Sequence, residues 1–435
     1  MQLIPDDTVS GLRARVFARL SARLDGPPDR PVAVGFSGGG DSLALLALVC
    51  EWAKTAGRSV LALTVDHRLN PDSENWTRDA GRQALQLGAQ WRALSWADAS
   101  AGSAIQERAR MARHALLADA ARQAGAGMLL LGHTANDSCE NHWMREQGTA
   151  VGTLRELAPS PVWPQGRGVN VFRPLLAEKR ETLRHWLREQ DLYWLDDPAN
   201  DDPHYTRIRA RQALVGAEAV FIEAEAPVLA ALSQLGDNGV FEFSRPDLAC
   251  SSRSLAVALL CAGGTSVPPR GDRLATLMQR IVAGGDHVAV LCGARVEIAG
   301  DRVLIYREAG EQRRSRLEPL SLSADEPAVW DGRFEFVASE EGWQVLSADG
   351  NLSRLPDLER ARVNALSPAA RLSLPVLHNP LTGRYLLHAP QVVARGLCGR
   401  RYRATALCLA DETTQESKLF DLWHGETGPT ALFSY

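Results

Sequence analysis

The chain has 435 residues, 45% hydrophobic and 23% charged, with a net charge of -4. That composition excludes wholesale disorder, a collagen-like rod and a disulfide-dense mini-protein, and the length exceeds one compact domain. A total of -4 argues against a surface coated in positive charge but leaves room for a local basic face. Of the 48 basic residues only Lys54, Lys179 and Lys418 are lysine, so arginine, with its planar fork, is the residue to bind anions here. The seven cysteines include no CxxC pair, which speaks against a disulfide framework or a structural zinc or iron–sulfur site.

The spacing of Leu12, Val16, Leu20 and Leu24 predicts an amphipathic helix over residues 9–24. Short apolar runs at residues 32–36, 60–65, 91–96 and 128–132 predict strands. Helical stretches at 43–52, 71–87 and 105–124 alternate with them. That rhythm predicts an α/β, doubly wound parallel sheet covered on both faces. A Pro/Gly-rich stretch at 158–169 reads as a loop, 179–190 as a helix, and Asp196 to Pro203 as a turn-forming cluster. The expected organisation is a catalytic domain over 1–216, a mostly helical domain over 217–310, and a small mixed or β-rich domain over 325–435. The alternating runs at 334–337 and 343–346 point to strands in the last of these. No signal peptide and no membrane-length apolar stretch is present, so a cytoplasmic protein without membrane attachment is expected.

The most informative residues are Ser37, Gly38, Gly39, Gly40, Asp41 and Ser42, between the first strand and the first helix of the sheet. A helix N-terminus offers unpaired N–H groups and a positive dipole end, and glycines let a phosphate approach the backbone. No Lys-Ser/Thr follows, so this is not a Walker A loop. An acidic Asp41 among phosphate-binding groups makes sense if it holds a magnesium ion that bridges to them. The segment resembles the PP-loop of the ATP pyrophosphatase superfamily, whose members adenylate a substrate oxygen and release pyrophosphate.

Further segments narrow the resemblance to the tRNA(Ile)-lysidine synthetase family. Val65 and Asp66 open a segment that in the family lines the nucleotide pocket. Arg110 and Arg113 sit in an ARxxRY-type helix with His114 in the tyrosine position, and Arg113 matches the arginine used near the phosphates and the activated base. His133, Asp137 and Glu140 match the HHxDDQxET pattern, while Asn136 and Ser138 depart from it. Arg173-Pro174-Leu175-Leu176, Asp197-Pro198-Ala199-Asn200 and Arg207-Ile208-Arg209-Ala210-Arg211 resemble the RPLL, DPSN and RNRIR elements. The glycine-rich RGSG segment is reduced to Arg145-Glu146-Gln147-Gly148.

The resemblance covers about residues 30–215 and implies a reaction. ATP, with magnesium near Asp41, adenylates the C2 oxygen of the wobble cytidine in a CAU-anticodon isoleucine tRNA. Free lysine then displaces AMP to give lysidine. Asp41, Arg113, His133, Asp137 and Glu140 are the expected catalytic residues. Ser37 to Ser42, Val65 and Asp66 are the expected ATP contacts. Arg207, Arg209 and Arg211 are expected to meet tRNA, as are Arg400, Arg401 and Arg403, which have Tyr402 interleaved. Trp143 is a candidate stacking partner for the cytidine. A homodimer is compatible with this reading. The alternatives are a PP-loop tRNA thiolase, which would want a cysteine pair, and a non-catalytic PP-loop RNA-binding protein, which would not need Asp41.

Overall fold

The computed structural model describes residues 9–425 except 71, 98–104, 150, 196–205, 218, 220–228, 236–237 and 411–413. The Asp197 to Asn200 element and the whole turn cluster therefore lie outside the described residues. The chain divides into two compact units, 1–226 with 411–421, and 227–410 with 422–435.

In the first unit the elements are α1 (Val9–Arg23), β1 (Val32–Gly35), α2 (Gly40–Ala56), β2 (Val60–Asp66), α3 (Ser73–Gln86), β3 (Gln90–Ser95), α4 (Ile105–Gln123), β4 (Met128–Leu131), α5 (Ala135–Glu146), β5 (Leu157–Pro159), β6 (Asn170–Phe172), α6 (Arg180–Glu189) and α7 (Thr206–Ala213). The six strands form one sheet in the order β3-β2-β1-β4-β6-β5. All neighbours are parallel except β5 and β6. The apolar runs become the central strands because both faces are covered: Val32 to Val34 and Met128 to Leu131 are buried. The expected loop at 158–169 is flanked by β5 and β6, three residues each, which extend the sheet at one edge. They were too short to show a strand pattern.

β1 feeds toward β2 on one side, while its other neighbour, β4, comes from the far edge strand β3. The strand order therefore reverses between β1 and β4. In an open parallel sheet the crevice beyond the carboxyl ends at such a point is where ligands bind. The loop Phe36–Gly39 leaves β1 there, and Gly132–Thr134 leaves β4 beside it. Gly132 is required for the approach: a Cβ on it would lie 2.9 Å from the Asp41 carbonyl oxygen and 3.1 Å from the Ser42 Cα.

The first unit also takes in a segment near the C-terminus that the sequence places in the third domain. Glu416 forms a buried ion pair with Arg58 at 2.7 Å, and Arg23 donates to the Thr414 carbonyl at 3.0 Å. Arg30 lies 3.4 Å from the centroid of the Phe420 ring.

The second unit opens with β7 (Gln234–Leu235), β8 (Phe241–Ser244), α8 (Arg245–Ala249), α9 (Ser252–Gly263), α10 (Gly271–Ala283), β9 (His287–Leu291), β10 (Ala294–Ala299) and β11 (Arg302–Arg307). The expected helices of 217–310 are joined by an antiparallel sheet in the order β7-β8-β11-β10-β9. Alternation within strands such as Phe241 and Phe243 buries one face against α9. Beyond it lie a four-stranded and a three-stranded antiparallel sheet, whose shared core includes Trp330, Phe334, Phe336, Trp343 and Val345. Both expected strands of that region are present, at Phe334–Ala338 and Trp343–Ser347. Among the described residues no helix is long and apolar enough to cross a membrane.

Candidate active site

The PP-loop folds on itself through its hydroxyls. Ser42 Oγ donates to the Gly39 carbonyl at 2.8 Å and lies 3.1 Å from Ser37 Oγ. Gly38 has φ +82°, the left-handed region that glycine enters without strain. Gly39 is the N-cap of α2 and has no side chain to bond the first-turn N–H groups, which leaves those donors for an anion.

β4 ends facing this loop, and α5 begins with a capping box. The Asp137 carboxylate accepts from the Thr134 backbone N–H at 2.8 Å and from Thr134 Oγ1 at 2.9 Å. Asp137 and Glu140, one turn apart, are both buried. They meet Asp41 through a residue that the sequence motifs did not single out. Arg180, the first residue of α6, donates from Nε to Asp41 Oδ2 at 2.8 Å and from Nη1 to Glu140 Oε1 at 3.1 Å, and its Nη2 lies 3.3 Å from Asp137 Oδ1. One guanidinium thus ties three carboxylates from two helices, α2 and α5.

The start of α6 is stitched to α5 by its backbone as well. The Ala135 N–H donates to the Glu178 carbonyl at 3.0 Å, and the Arg180 N–H donates to Asn136 Oδ1 at 2.9 Å. The departure at Asn136 therefore has a use here: the amide oxygen accepts without adding a fourth carboxylate to the cluster.

α7 adds two more arginines. Arg211 Nε donates to Glu140 Oε1 at 2.9 Å, Arg207 Nε lies 3.2 Å from Glu140 Oε2, and Arg207 Nη2 donates to Asn141 Oδ1 at 2.9 Å. Ile208 between them is buried, which is what the apolar departure from RNRIR accomplishes. Arg209 faces outward and donates to Thr206 Oγ1. Of the three α7 arginines, two join the site and one does not.

A second group of cations is not compensated in this way. Burial, with Arg110 and Arg207 nearby, pulls Arg113 down to about 10. Burial, with Arg110 nearby, does the same to Arg173. Among the described residues Arg113 has no hydrogen-bond or ion-pair partner, and the Arg173 guanidinium donates from Nη1 to the Arg155 carbonyl. These charges act on the histidines between them. Burial and then Arg173 hold His133 well below its ordinary value, so it is a neutral imidazole whose Nδ1 has no partner. His114 is pushed down to about 3 by burial and by Arg113, Arg110 and Arg173. Asp137 feels the opposite balance: burial would raise it, but Arg180, His133, Arg207 and the Thr134 N–H together hold it down to about 2. Asp41 is raised, because burial outweighs Arg180. Val65 and Asp66 end β2 one strand from the PP-loop, with Asp66 Oδ1 accepting from the Arg68 N–H at 2.8 Å. Trp143 is half-buried on α5.

The second-unit arginines are placed differently from expectation. Arg401 Nη1 donates to the Leu260 and Thr265 carbonyls at 3.1 and 2.8 Å, closing the C-terminus of α9. Arg400 donates to the Trp423 carbonyl. Tyr402 is buried against Phe241 and Phe243, with its hydroxyl donating to the Ala230 carbonyl at 3.0 Å. Of the expected basic, aromatic-interleaved run, Arg403 is exposed, Arg400 and Arg401 are half-buried and Tyr402 is buried. A helix shows one residue in three or four to its own core, and the run 400–403 spans both sides of the helix Cys398–Ala410.

A PP-loop domain model matches residues 13–218. The tRNA(Ile)-lysidine synthase of Caulobacter vibrioides is 47% identical over 363 residues, which is 83% of this chain and 88% of that protein. The chain belongs to the tRNA(Ile)-lysidine synthase family. The tRNA(Ile)-lysidine synthase of Hyphomonas neptunium is 35% identical, over 68% of this chain and 87% of its own. That of Brucella anthropi is 33% identical, over 71% and 74%. The family match runs well beyond the PP-loop domain, so the second unit belongs to the same inheritance. The chain is accordingly an ATP-using PP-loop ligase.

Proposed function

We propose that the chain joins free lysine to C2 of the wobble cytidine in CAU-anticodon isoleucine tRNA, through an adenylated cytidine. The observation that carries this reading is the meeting of the PP-loop with His133, Asp137 and Glu140 at the strand-order reversal, in a chain of this family. The C2 oxygen attacks the α-phosphorus of ATP, and pyrophosphate leaves. The lysine ε-amine then attacks C2, and AMP leaves. The N–H groups at the start of α2 and Arg113 face the charge that develops in the first step. The second step requires the amine to lose a proton. His133, neutral and with a free Nδ1, is the acceptor we favour. Asp137 and Glu140 are already occupied by arginines, which suits them to fixing the site and leaves them less free to receive an ammonium group.

A magnesium ion fits at Asp41. Its Oδ1 is buried with no hydrogen-bond partner, while Oδ2 is held by Arg180. Such an ion is held by one or two carboxylates together with substrate phosphates, and when bound it would screen phosphate charge. Among the described residues no group of three His, Cys, Asp or Glu side chains forms a cation cage of its own. Arg207, Arg209 and Arg403 are the arginines we assign to the tRNA backbone, and the setting of the reaction is the cytoplasm.

The test is incubation of the protein with ATP, magnesium, lysine and CAU-anticodon tRNA, followed by mass analysis of the nucleosides. Lysidine is the expected product. Unchanged cytidine under conditions where a family enzyme converts it would overturn the reading.

A further inference from the structure

α6 carries Arg180 and Arg184 one turn apart on the same side of the helix. Arg180 is taken by three carboxylates. Arg184 is exposed and has no carboxylate partner among the described residues. Its guanidinium carbon lies 5.6 Å from the centroid of the Trp194 ring. That ring is laid on the PP-loop: a Cβ on Gly40 would sit 3.4 Å from its Cγ and Cδ2. The next residue locks it there, with the Leu195 N–H donating to the Gly38 carbonyl at 3.0 Å. Arg184, Trp194 and Gly40 therefore form a short stack at the rim of the loop.

We propose that Arg184 contacts the phosphates of a nucleotide bound at the PP-loop and neutralises pyrophosphate as it departs, with Trp194 as the platform that fixes its guanidinium. The inference rests on the adenylating reading given above. In that step a bond forms between the cytidine C2 oxygen and the α-phosphorus. The bond from the α-phosphorus to the oxygen bridging it to the β-phosphate breaks, and the electron pair leaves on that oxygen. Negative charge grows on pyrophosphate, where a fork of N–H donors is worth most. Arg180 is already paired with three carboxylates, which offset its charge.

Arg188 provides an internal control. It lies 5.7 Å from the same ring and is equally exposed, but one turn further along α6, about 6 Å from Arg184 along the axis. It therefore stands two turns from Arg180, the residue of α6 that reaches Asp41.

The experiment compares full-length wild type with R184Q, R184K and R188Q in two readouts. The first is lysine-free, ATP-dependent AMP transfer onto CAU-anticodon tRNA. The second is ATP affinity by calorimetry. R184Q is expected to lose about 100-fold in kcat/KM for ATP, the scale for one transition-state donor, and to bind ATP about tenfold more weakly. R184K should recover part of the loss, and R188Q should stay within about twofold of wild type. ATP affinity unchanged in R184Q, or an equal loss in R188Q, would overturn the assignment. Failure of the wild type to transfer AMP overturns the adenylating reading instead, while the affinity comparison still decides whether Arg184 meets the nucleotide.

Discussion

The catalytic end of the first unit and the interior of the second both bury arginine, and they use it differently. In the second unit the described buried guanidinium groups of Arg307 and Arg333, and the half-buried Arg401, are held by protein groups. Arg307 and Arg333 share Asp331 at 3.0 and 2.9 Å, and Arg401 is spent on two carbonyls. At the catalytic end the cations outnumber their partners. Arg180, Arg207 and Arg211 crowd onto Asp41, Asp137 and Glu140, while Arg110, Arg113 and Arg173 have no carboxylate at all among the described contacts. Burying unpaired charge is costly, so a fold retains it only where something else gains from it. An anionic substrate is that something, and the contrast separates a binding site from a brace.

The largest effect should come from breaking the brace inside the site. Arg180→Met would leave three carboxylates facing one another without their shared cation. We expect a loss of about 3–5 kcal/mol in unfolding free energy, the scale for removing one partner of a buried ion pair, with no measurable lysidine formation. Arg401→Met in the second unit removes the contacts to the Leu260 and Thr265 carbonyls. It should cost about 1–2 kcal/mol and leave AMP transfer to saturating tRNA unchanged. Chemical denaturation of the two variants measures both. Equal losses would mean that the two regions are built alike.

Burial, with the uncompensated cations, also predicts an acid weakness at His114. His114 titrates near 3 in the folded chain and near 6.5 when unfolded. The unfolded state therefore binds the proton first as pH falls. The stability that comes from a neutral His114 is complete above about 6.5 and is lost progressively toward 3, at up to about 1.4 kcal/mol per pH unit. Asp137, held down to about 2, loses its contribution only below about 4. Unfolding curves between pH 7 and 4.5 should steepen in wild type and flatten in His114→Phe. An unchanged slope in the variant would show that this buried ring is not the group that titrates over that range.

What the sequence discloses follows the range of the interactions. The PP-loop is legible because its function is local: glycines, hydroxyls and an acidic residue at a strand-to-helix turn. The parallel sheet is legible because strands buried on both faces read as apolar runs. Arg180 is not legible in the same way. Its role is defined by Asp41 and Glu140, 139 and 40 residues away, and only the fold brings those together. Its position at the head of the helix after Arg173-Pro174-Leu175-Leu176 was the only local signal. The run Arg400 to Arg403 misleads for the converse reason. Its composition suggests a basic face, but the helix turns Arg401 and Tyr402 inward and leaves Arg403 out. The return of Glu416 and Phe420 to the first unit has no sequence mark at all, since nothing near them announces Arg58 or Arg30 as a partner.

That misleading run supplies the smallest and most discriminating prediction. If exposure decides which arginines meet RNA, Arg403→Gln and Arg401→Gln must part company. Arg403→Gln should leave the melting temperature unchanged and weaken tRNA binding. A lost phosphate contact should also reduce the slope of log affinity against log salt by about one. Arg401→Gln should do the reverse, lowering stability because the C-terminus of α9 loses its cap, while the salt slope stays where it was. A filter-binding titration at three salt concentrations resolves a change of that size. Should Arg401→Gln shift the slope and Arg403→Gln not, the second unit would be presenting RNA with a face that its buried guanidinium groups do not describe, and the division between brace and binding site would fail there first.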